Sequence, residues 1–341
     1  MSTTETRPAK TSRPPLGVRL NYYSAQNVPL LLSIGILVAM IFIYLILFAL
    51  RQHRLPGSFE LSTTLNNSMS VGLAALGQSM VVLTGGIDLS VGGIIDVTNS
   101  VAARMMQNNP GSMLEVTLVV LLIGAGAGFI NGIFVTYGRL QPIIVTLATL
   151  AIWQGVALLV LPQPGGSIPD IYSNLLSGNI SALANLPSSL VIFILLILLW
   201  QVLRRTRFLV TLFAIGNDER AARANGAPVQ LAKVGAYTVG GLFSGAAGLY
   251  LAAVATSGDA TTGTQFTLTS IAAVVLGGMS LFGGRGSAVG SLIGACILTL
   301  LLNVLFFAGV NPQLQEFFQG LFLILAVIIS TLIRRLLQRA R

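Results

Sequence analysis

Charge is the scarcest property of this chain. Of 341 residues only 9% are Asp, Glu, Lys or Arg, while 54% are hydrophobic; a soluble domain usually carries about a quarter charged residues. Neither one soluble domain nor two could face water with so little charge, so lipid must be the solvent for most of the chain. Lysine is nearly missing, with Lys10 and Lys233 each following an alanine. A phosphate-binding loop needs a Lys directly after Gly, so that backbone amides cradle the phosphates while the ammonium reaches the terminal one. If ATP drives this protein, another chain binds it. Histidine and cysteine occur once each, as His53 and Cys296. One imidazole and one thiol make neither a metal cluster nor a disulfide framework. Without a G-x-S-x-G string either, an enzyme reading lacks its parts, and no cofactor is expected. Cys296 reads as a small buried hydrophobe and His53 as a solvated loop residue.

What charge there is sits in blocks. The net charge of +9 raises the question of nucleic acid, but no aromatic-rich basic patch accompanies it. Instead Arg7, Lys10, Arg13 and Arg19 precede the first apolar run. Arg204, Arg205, Arg207, Arg220, Arg223 and Lys233 flank one central polar stretch, and Arg334, Arg335, Arg339 and Arg341 close the chain. Blocks of this kind fix membrane orientation, with the positive loops in the cytoplasm.

A crossing of about 30 Å of hydrocarbon takes about 20 mainly apolar residues. The clearest run, residues 29–50, carries no charge and reads as an anchor rather than a signal-peptide core. Further spans are expected at 64–84, 87–106, 114–137, 142–162, 188–203, 234–257, 266–283, 288–309 and 316–333. The expected fold is all-α and polytopic, with about ten transmembrane helices, some of them broken or re-entrant. An even count puts both basic termini on one side, the cytoplasm, as in a bacterial inner membrane. Tails over 1–28 and 334–341 then flank a transmembrane body over 29–333. Gly124, Gly128 and Gly132, like Gly241 and Gly245, recur every four residues and predict close helix packing. Residues 163–187 read as an external loop, a connector or a docking place. The run Gly283-Gly284-Arg285-Gly286 reads as a tight cytoplasmic turn.

The most informative segment is GGIDLSVGGIIDVTNS, residues 85–100. Asp88 and Asp96 are carboxylates inside an assigned span, and charge at bilayer depth is costly enough to be functional by default. At 100° per residue, Asp88, Gly92, Asp96 and Asn99 share a sector of about 80°. Gly85, Gly86, Gly92 and Gly93 suggest broken helix, tolerable only against protein or water. Asp88 either caps the half-helix or lines a transport path, and both roles are compatible. Gln78, Ser90, Asp96 and Asn99 join it as candidates for substrate path or structural cap. A second landmark is the stretch 208–228. Asn217 or Asp218 caps a helix of about eight residues there, which Gly226 and Pro228 stop. Ala221, Ala222 and Ala224 make it small-sided, with Arg220 and Arg223 projecting, a shape suited to seating in another protein's groove. VLTGGIDL at 82–89 is also echoed by VLGGMSL at 275–281, and transporters often carry internal repeats.

Four strings together resemble the ribose-type permeases of monosaccharide ABC importers. LNNSMSVGLAALGQSMVVLTGGIDLSVG (65–92) looks like that family's hallmark, and NGIFVTYGRLQPIIVTLATL (131–150) like its next block. AIGNDERAARANGAP (214–228) is similar to its coupling-helix segment, and VLGGMSLFGGRGSAVGSLIGA (275–295) to its C-terminal hallmark. The likeness covers nearly the whole chain after about residue 60. It implies import of a monosaccharide, a ribose-like pentose or hexose, with no covalent change to the sugar. The implied partners are an ATPase subunit, often with tandem nucleotide-binding domains, and a periplasmic or lipid-anchored sugar-binding protein. A second permease copy or a homologue completes the set. Gly216, Asn217, Arg220, Ala221, Ala222, Arg223 and Gly226 fall in the segment that would couple to the ATPase. Two positions depart from the pattern: Arg220 stands where an acidic residue is preferred, and Gln154 follows Trp153 where Arg is common. A branched-chain amino-acid permease and an ion-coupled secondary transporter remain as alternatives.

Overall fold

The computed structural model describes residues 16–180, 186–315, 317–322, 324, 325 and 328, with side chains from Val28 onward. Helix dominates. In chain order the elements are α1 Leu16–Gln52, α2 Ser58–Leu83, α3 Val91–Met105, α4 Pro110–Thr136, α5 Pro142–Val160 and α6 Asp170–Ser177. A two-residue pair follows, β1 Asn179–Ile180 and β2 Leu186–Pro187, and then α7 Ser188–Leu203, α8 Arg207–Asn217 and α9 Glu219–Ala224. α10 Val229–Ala255, α11 Thr264–Leu276 and α12 Ala288–Phe307 follow, and residues 312–315 and 317–322 are helical as well.

Among the described residues five helices are long and apolar enough to cross a membrane: the Val28–Gln52 part of α1, α4, α5, α10 and α12. The pair α7 and α8, bent by 76°, makes a sixth if the two helices form one broken span. The protein is thus an all-α polytopic membrane protein. Two expected spans are shorter than a crossing. α3 has fifteen residues and α11 thirteen, about 22 and 20 Å at 1.5 Å per residue. Glycine pairs break the apolar run before α3, at Gly85-Gly86, and after α11, at Gly277-Gly278. α1 begins at Leu16, well before the apolar run that marks it in the sequence. Of the span expected at 316–333, residues 316, 323, 326, 327 and 329–333 lie outside the described residues, as do the tail 334–341 and residues 1–15.

α2 is the central helix. Its last sixteen residues, Ser68 to Leu83, are buried apart from Val71, and they pack against α7, α10, α11 and α12. The two small-residue ridges are each other's partners. A Cβ on Gly128 would overlap the Tyr237 carbonyl, and one on Gly241 would overlap that of Gly124. No side chain separates α4 from α10, which is how backbones come close enough for dispersion to hold two membrane helices together. Residues 163–187 are more than a connector: they hold α6 and the antiparallel β1–β2 pair, and Gly165 forms a bridge with Gly258. His53 is exposed at φ 53, and Cys296 is half-buried against the main core.

Candidate functional site

α2 ends in a Schellman turn. Gly85, at φ +81, donates to the Val82 carbonyl at 2.9 Å and Gly86 to that of Val81 at 3.3 Å, which satisfies the last helix carbonyls. Gly278, at φ +82, and Met279 repeat both bonds on Val275 and Val274, at 2.9 and 3.1 Å. The echo between 82–89 and 275–281 is therefore one turn geometry used twice.

Beyond the first turn lies a buried polar cluster. Asp88 Oδ1 accepts from the Ser90 amide at 2.8 Å and the Ser90 hydroxyl at 2.6 Å. Asn131 Nδ2 donates to Ser90 Oγ at 2.7 Å. With its amide turned to satisfy both groups, Gln78 donates to the Asp88 carbonyl at 2.9 Å and accepts the Asp88 amide at 3.2 Å. Gln78 thus braces the unwound backbone from the helix that precedes it. Ser90 holds the N-cap position of α3 and makes no side-chain cap bond. Asp88 instead anchors the Ser90 amide just ahead of the helix. Asp88 Oδ2, Asn131 Oδ1 and the Tyr237 hydroxyl have no hydrogen-bond partner among the described residues. Three ion pairs, Arg54–Glu60, Glu219–Arg223 and Glu219–Lys233, form among the described residues, and none reaches Asp88 or Asp96.

The polar stripe expected along one helix is divided in two. Asp88 precedes α3 because the chain unwinds between Gly85 and Ser90, so the 100° period does not run through it. Gly92, Asp96 and Asn99 do share a face of α3, and it is filled. Asp96 Oδ1 accepts the Gly263 amide at 2.5 Å, and Oδ2 accepts the Thr264 hydroxyl at 3.3 Å. Asn99 donates to the Gly248 carbonyl at 3.3 Å and accepts the Asp259 amide at 2.7 Å. A Cβ on Gly92 would overlap the Thr267 hydroxyl. Asp96 thereby caps α11 from another helix, and the 256–263 connection runs down the length of α3 before α11 begins.

The stretch 208–228 holds two helices where one was expected. Leu209, Leu212 and Ile215 are buried, which makes an apolar face and folds α8; the Thr206 hydroxyl caps it. α9 is six residues long, and Asp218 Oδ1 caps it through the Ala221 amide at 3.0 Å. Gly226, at φ +78, closes it in another Schellman turn. Glu219 bonds Lys233 at 2.6 Å and Arg223 at 3.2 Å. The Lys233 ammonium, with Arg223 in support, holds its carboxyl below the usual range. Arg220, Ala221, Arg223 and Gly226 are exposed, whereas Ala222 is buried. Glu219, Arg220, Arg223 and Ala224 line an open cleft.

Gly216 and Asn217 sit elsewhere, in a seam where this segment meets both breaks. A Cβ on Gly216 would overlap the Leu83 carbonyl and the Gly284 amide, and one on Gly283 would lie 2.8 Å from Gly85 N. The Gly284 amide donates to the Leu83 carbonyl at 3.0 Å, and Asn217 Nδ2 donates to the Gly284 carbonyl at 3.0 Å. The exposed helix, the two helix breaks and the buried Asp88 cluster therefore form one contiguous body.

A family model described as "branched-chain amino acid transport system / permease component" matches residues 60–327. The chain belongs to this family. Among its relatives, the ribose import permease RbsC of Bacillus subtilis is 35% identical over 260 residues, 76% of this chain and 80% of that one. RbsC of Escherichia coli K12 is 34% identical over 292 residues, 84% and 91% of the two chains. The autoinducer 2 import permease LsrD of Photorhabdus luminescens is 30% identical over 300 residues, 86% and 89%. No solved structure matches the chain. All four strings that carry the resemblance lie inside the matched range. Sequence reasoning passed over Asn131 and Tyr237; the first lies within one of those strings, an amide in an apolar run beside Gly132.

Proposed function

We propose that this chain is the membrane-spanning permease subunit of an ABC importer for a monosaccharide, a ribose-like pentose or hexose. The observation that carries the reading is likeness to ribose import permeases over nine-tenths of a relative's length. A separate ATPase hydrolyses ATP, and this chain itself is no enzyme. An external binding protein delivers the sugar, and a second permease copy or homologue completes the path. The short exposed α9 supports docking to the ATPase through Arg220, Ala221 and Arg223, with Ala222 seating the helix and Gly226 closing it. Gly216 and Asn217 pass its movement to the two breaks. Around Asp88 we assign Gln78 and Ser90 to bracing the break, and Asp96 and Asn99 to holding α11 on α3.

Ten crossings are the best account of the chain in a bacterial inner membrane. They are the five long apolar helices, α2, the bent pair α7–α8, the run at 316–333, and the half-helices α3 and α11, each of which completes its crossing only with the non-helical chain beside it. Both basic tails, 1–28 and 334–341, then lie in the cytoplasm with α9, and the body 29–333 carries the path. The family's printed description keeps a branched-chain amino acid as the second reading.

Proteoliposomes holding the permease, its ATPase and its binding protein decide between them. D-ribose should accumulate only with ATP, and L-leucine should neither accumulate nor compete. Leucine accumulation would select the second reading. ATP hydrolysis by the purified chain alone, or uptake driven by an ion gradient without ATP, would overturn both.

A further inference from the structure

Most of the exposed surface of α5 is what lipid would meet. Ile144, Leu147, Ile152 and Leu159 are exposed by 54–84%. Gln154, half-buried, interrupts that surface. Its Nε2 donates to Thr264 Oγ1 at 3.2 Å, and Thr264 Oγ1 donates in turn to the buried Asp96 Oδ2 at 3.3 Å. Thr264 and its neighbours Thr261 and Gln265 are exposed. Beside Gln154 Trp153 is half-buried, and its buried Nε1 has no hydrogen-bond partner among the described residues.

The depth of this patch is what makes it informative. Gln154 lies about 18 Å along α5 from Pro142 and about 9 Å from Val160, and Asp96 lies about 14 Å from the Met105 end of α3. These positions fall inside a crossing of about 30 Å, because the 256–263 connection dips along α3 and starts α11 partway through. Exposed amides and hydroxyls are not stable against lipid tails at that depth. This face therefore meets water or a polar solute.

We propose that Gln154, Thr264, Gln265 and Trp153 form a contact site for the sugar within the translocation path, with Gln154 as a specificity-determining residue. The inference rests on the importer reading above. An amide offers two donors and an acceptor, of which the Thr264 bond uses one, and the Thr264 and Thr261 hydroxyls, whose protons go to Asp96 and Asp259, can still accept. That set matches the hydroxyls of a pyranose or furanose ring, and an indole face packs on its C–H side. Asp96 is a positioning residue: it holds the Thr264 hydroxyl and the start of α11.

The test uses the full complex in membrane vesicles, with D-ribose as the probe and Cys296→Ala as the background. Gln154→Cys should react with a membrane-impermeant methanethiosulfonate reagent, and ribose with the binding protein and ATP should slow the reaction. Ile152→Cys, on the lipid-facing surface and about 12 Å from Val160, should not react. Gln154→Leu should lower the maximal uptake rate at least tenfold at normal membrane abundance, and Gln154→Asn should recover part of it. The rate is the expected readout because the external binding protein sets half-saturation. Gln154→Cys as inert as Ile152→Cys would overturn the proposal, and so would uptake by Gln154→Leu within twofold of the parent. If the parent itself imports no monosaccharide, the importer reading fails separately, and the labelling still decides whether this face meets water.

Discussion

Gly216 and Gly284 touch backbone to backbone, so closely that a Cβ on Gly216 would overlap the Gly284 amide nitrogen. That amide is already bonded to the Leu83 carbonyl at the end of α2. The last residues of α8 thus press on the two helix breaks with nothing compressible between them. A push on α9 would reach the Asp88 cluster without a side chain able to absorb it.

Gly216→Ala should therefore separate docking from transport. The conformation of Gly216 suits alanine, since its φ is not positive; only the space is missing. Overpacking of this kind typically costs about 1–3 kcal/mol. The variant should insert and bind the ATPase yet lose most of its uptake. Co-purification of the ATPase alongside an uptake assay reads both, and unchanged uptake would count against the seam as a transmitter.

Asp88→Asn should assemble and transport, because an amide oxygen accepts the same two bonds from Ser90. Asp88→Ala strands the buried Ser90 amide and should cost about 1–3 kcal/mol. Thermal unfolding in detergent measures the loss. A well-assembled but inactive Asp88→Asn would show that the charge itself takes part in transport.

Exposure across α9 alternates sharply enough to test by labelling. Ala221→Cys should react with an impermeant maleimide from the cytoplasmic face, while Ala222→Cys, against the protein, should stay protected until the chain unfolds. Labelling of Ala221→Cys from outside intact cells would invert the topology.

Lys233 and Arg223 depress the Glu219 carboxyl, which fixes the direction of its pH dependence. A depressed folded value contributes stability above the unfolded value, and this is lost as pH falls through the folded value. Near neutrality α9 should hold against α10, and it should loosen only in acid, below the ordinary glutamate range. Hydrogen exchange at 219–224 should rise there, and Glu219→Gln should show the same rise at pH 7. Equal protection in that variant would remove the ion pair from the account.

The long apolar helices were legible because an uninterrupted apolar run admits few other structures. The cap at Asp218, the stop at Gly226 and the turn at Gly283-Gly284 were legible because each rests on local backbone chemistry. The course of the chain between Gly85 and Ser90 was not. A helical wheel assumes continuous helix, so it placed Asp88 beside Asp96, whereas the unwound turn gives them different partners. The partners of Asp96 and Asn99 lie 167 and 160 residues further along, and no local pattern reports contacts of that range. The bond from the half-buried Gln154 to Thr264 was hidden for the same reason, since it depends on where α11 starts.

That separation also sets a schedule for biogenesis. The Gly263 amide that caps against Asp96 is made 167 residues later. At a synthesis rate of about 5–20 residues per second, the wait is roughly 8–33 s. Through it α3 is too short to span and carries a carboxylate and an amide with no native partner. The emerging half-helix must therefore shelter beside the translocon or a chaperone until α10 and the connection after it arrive.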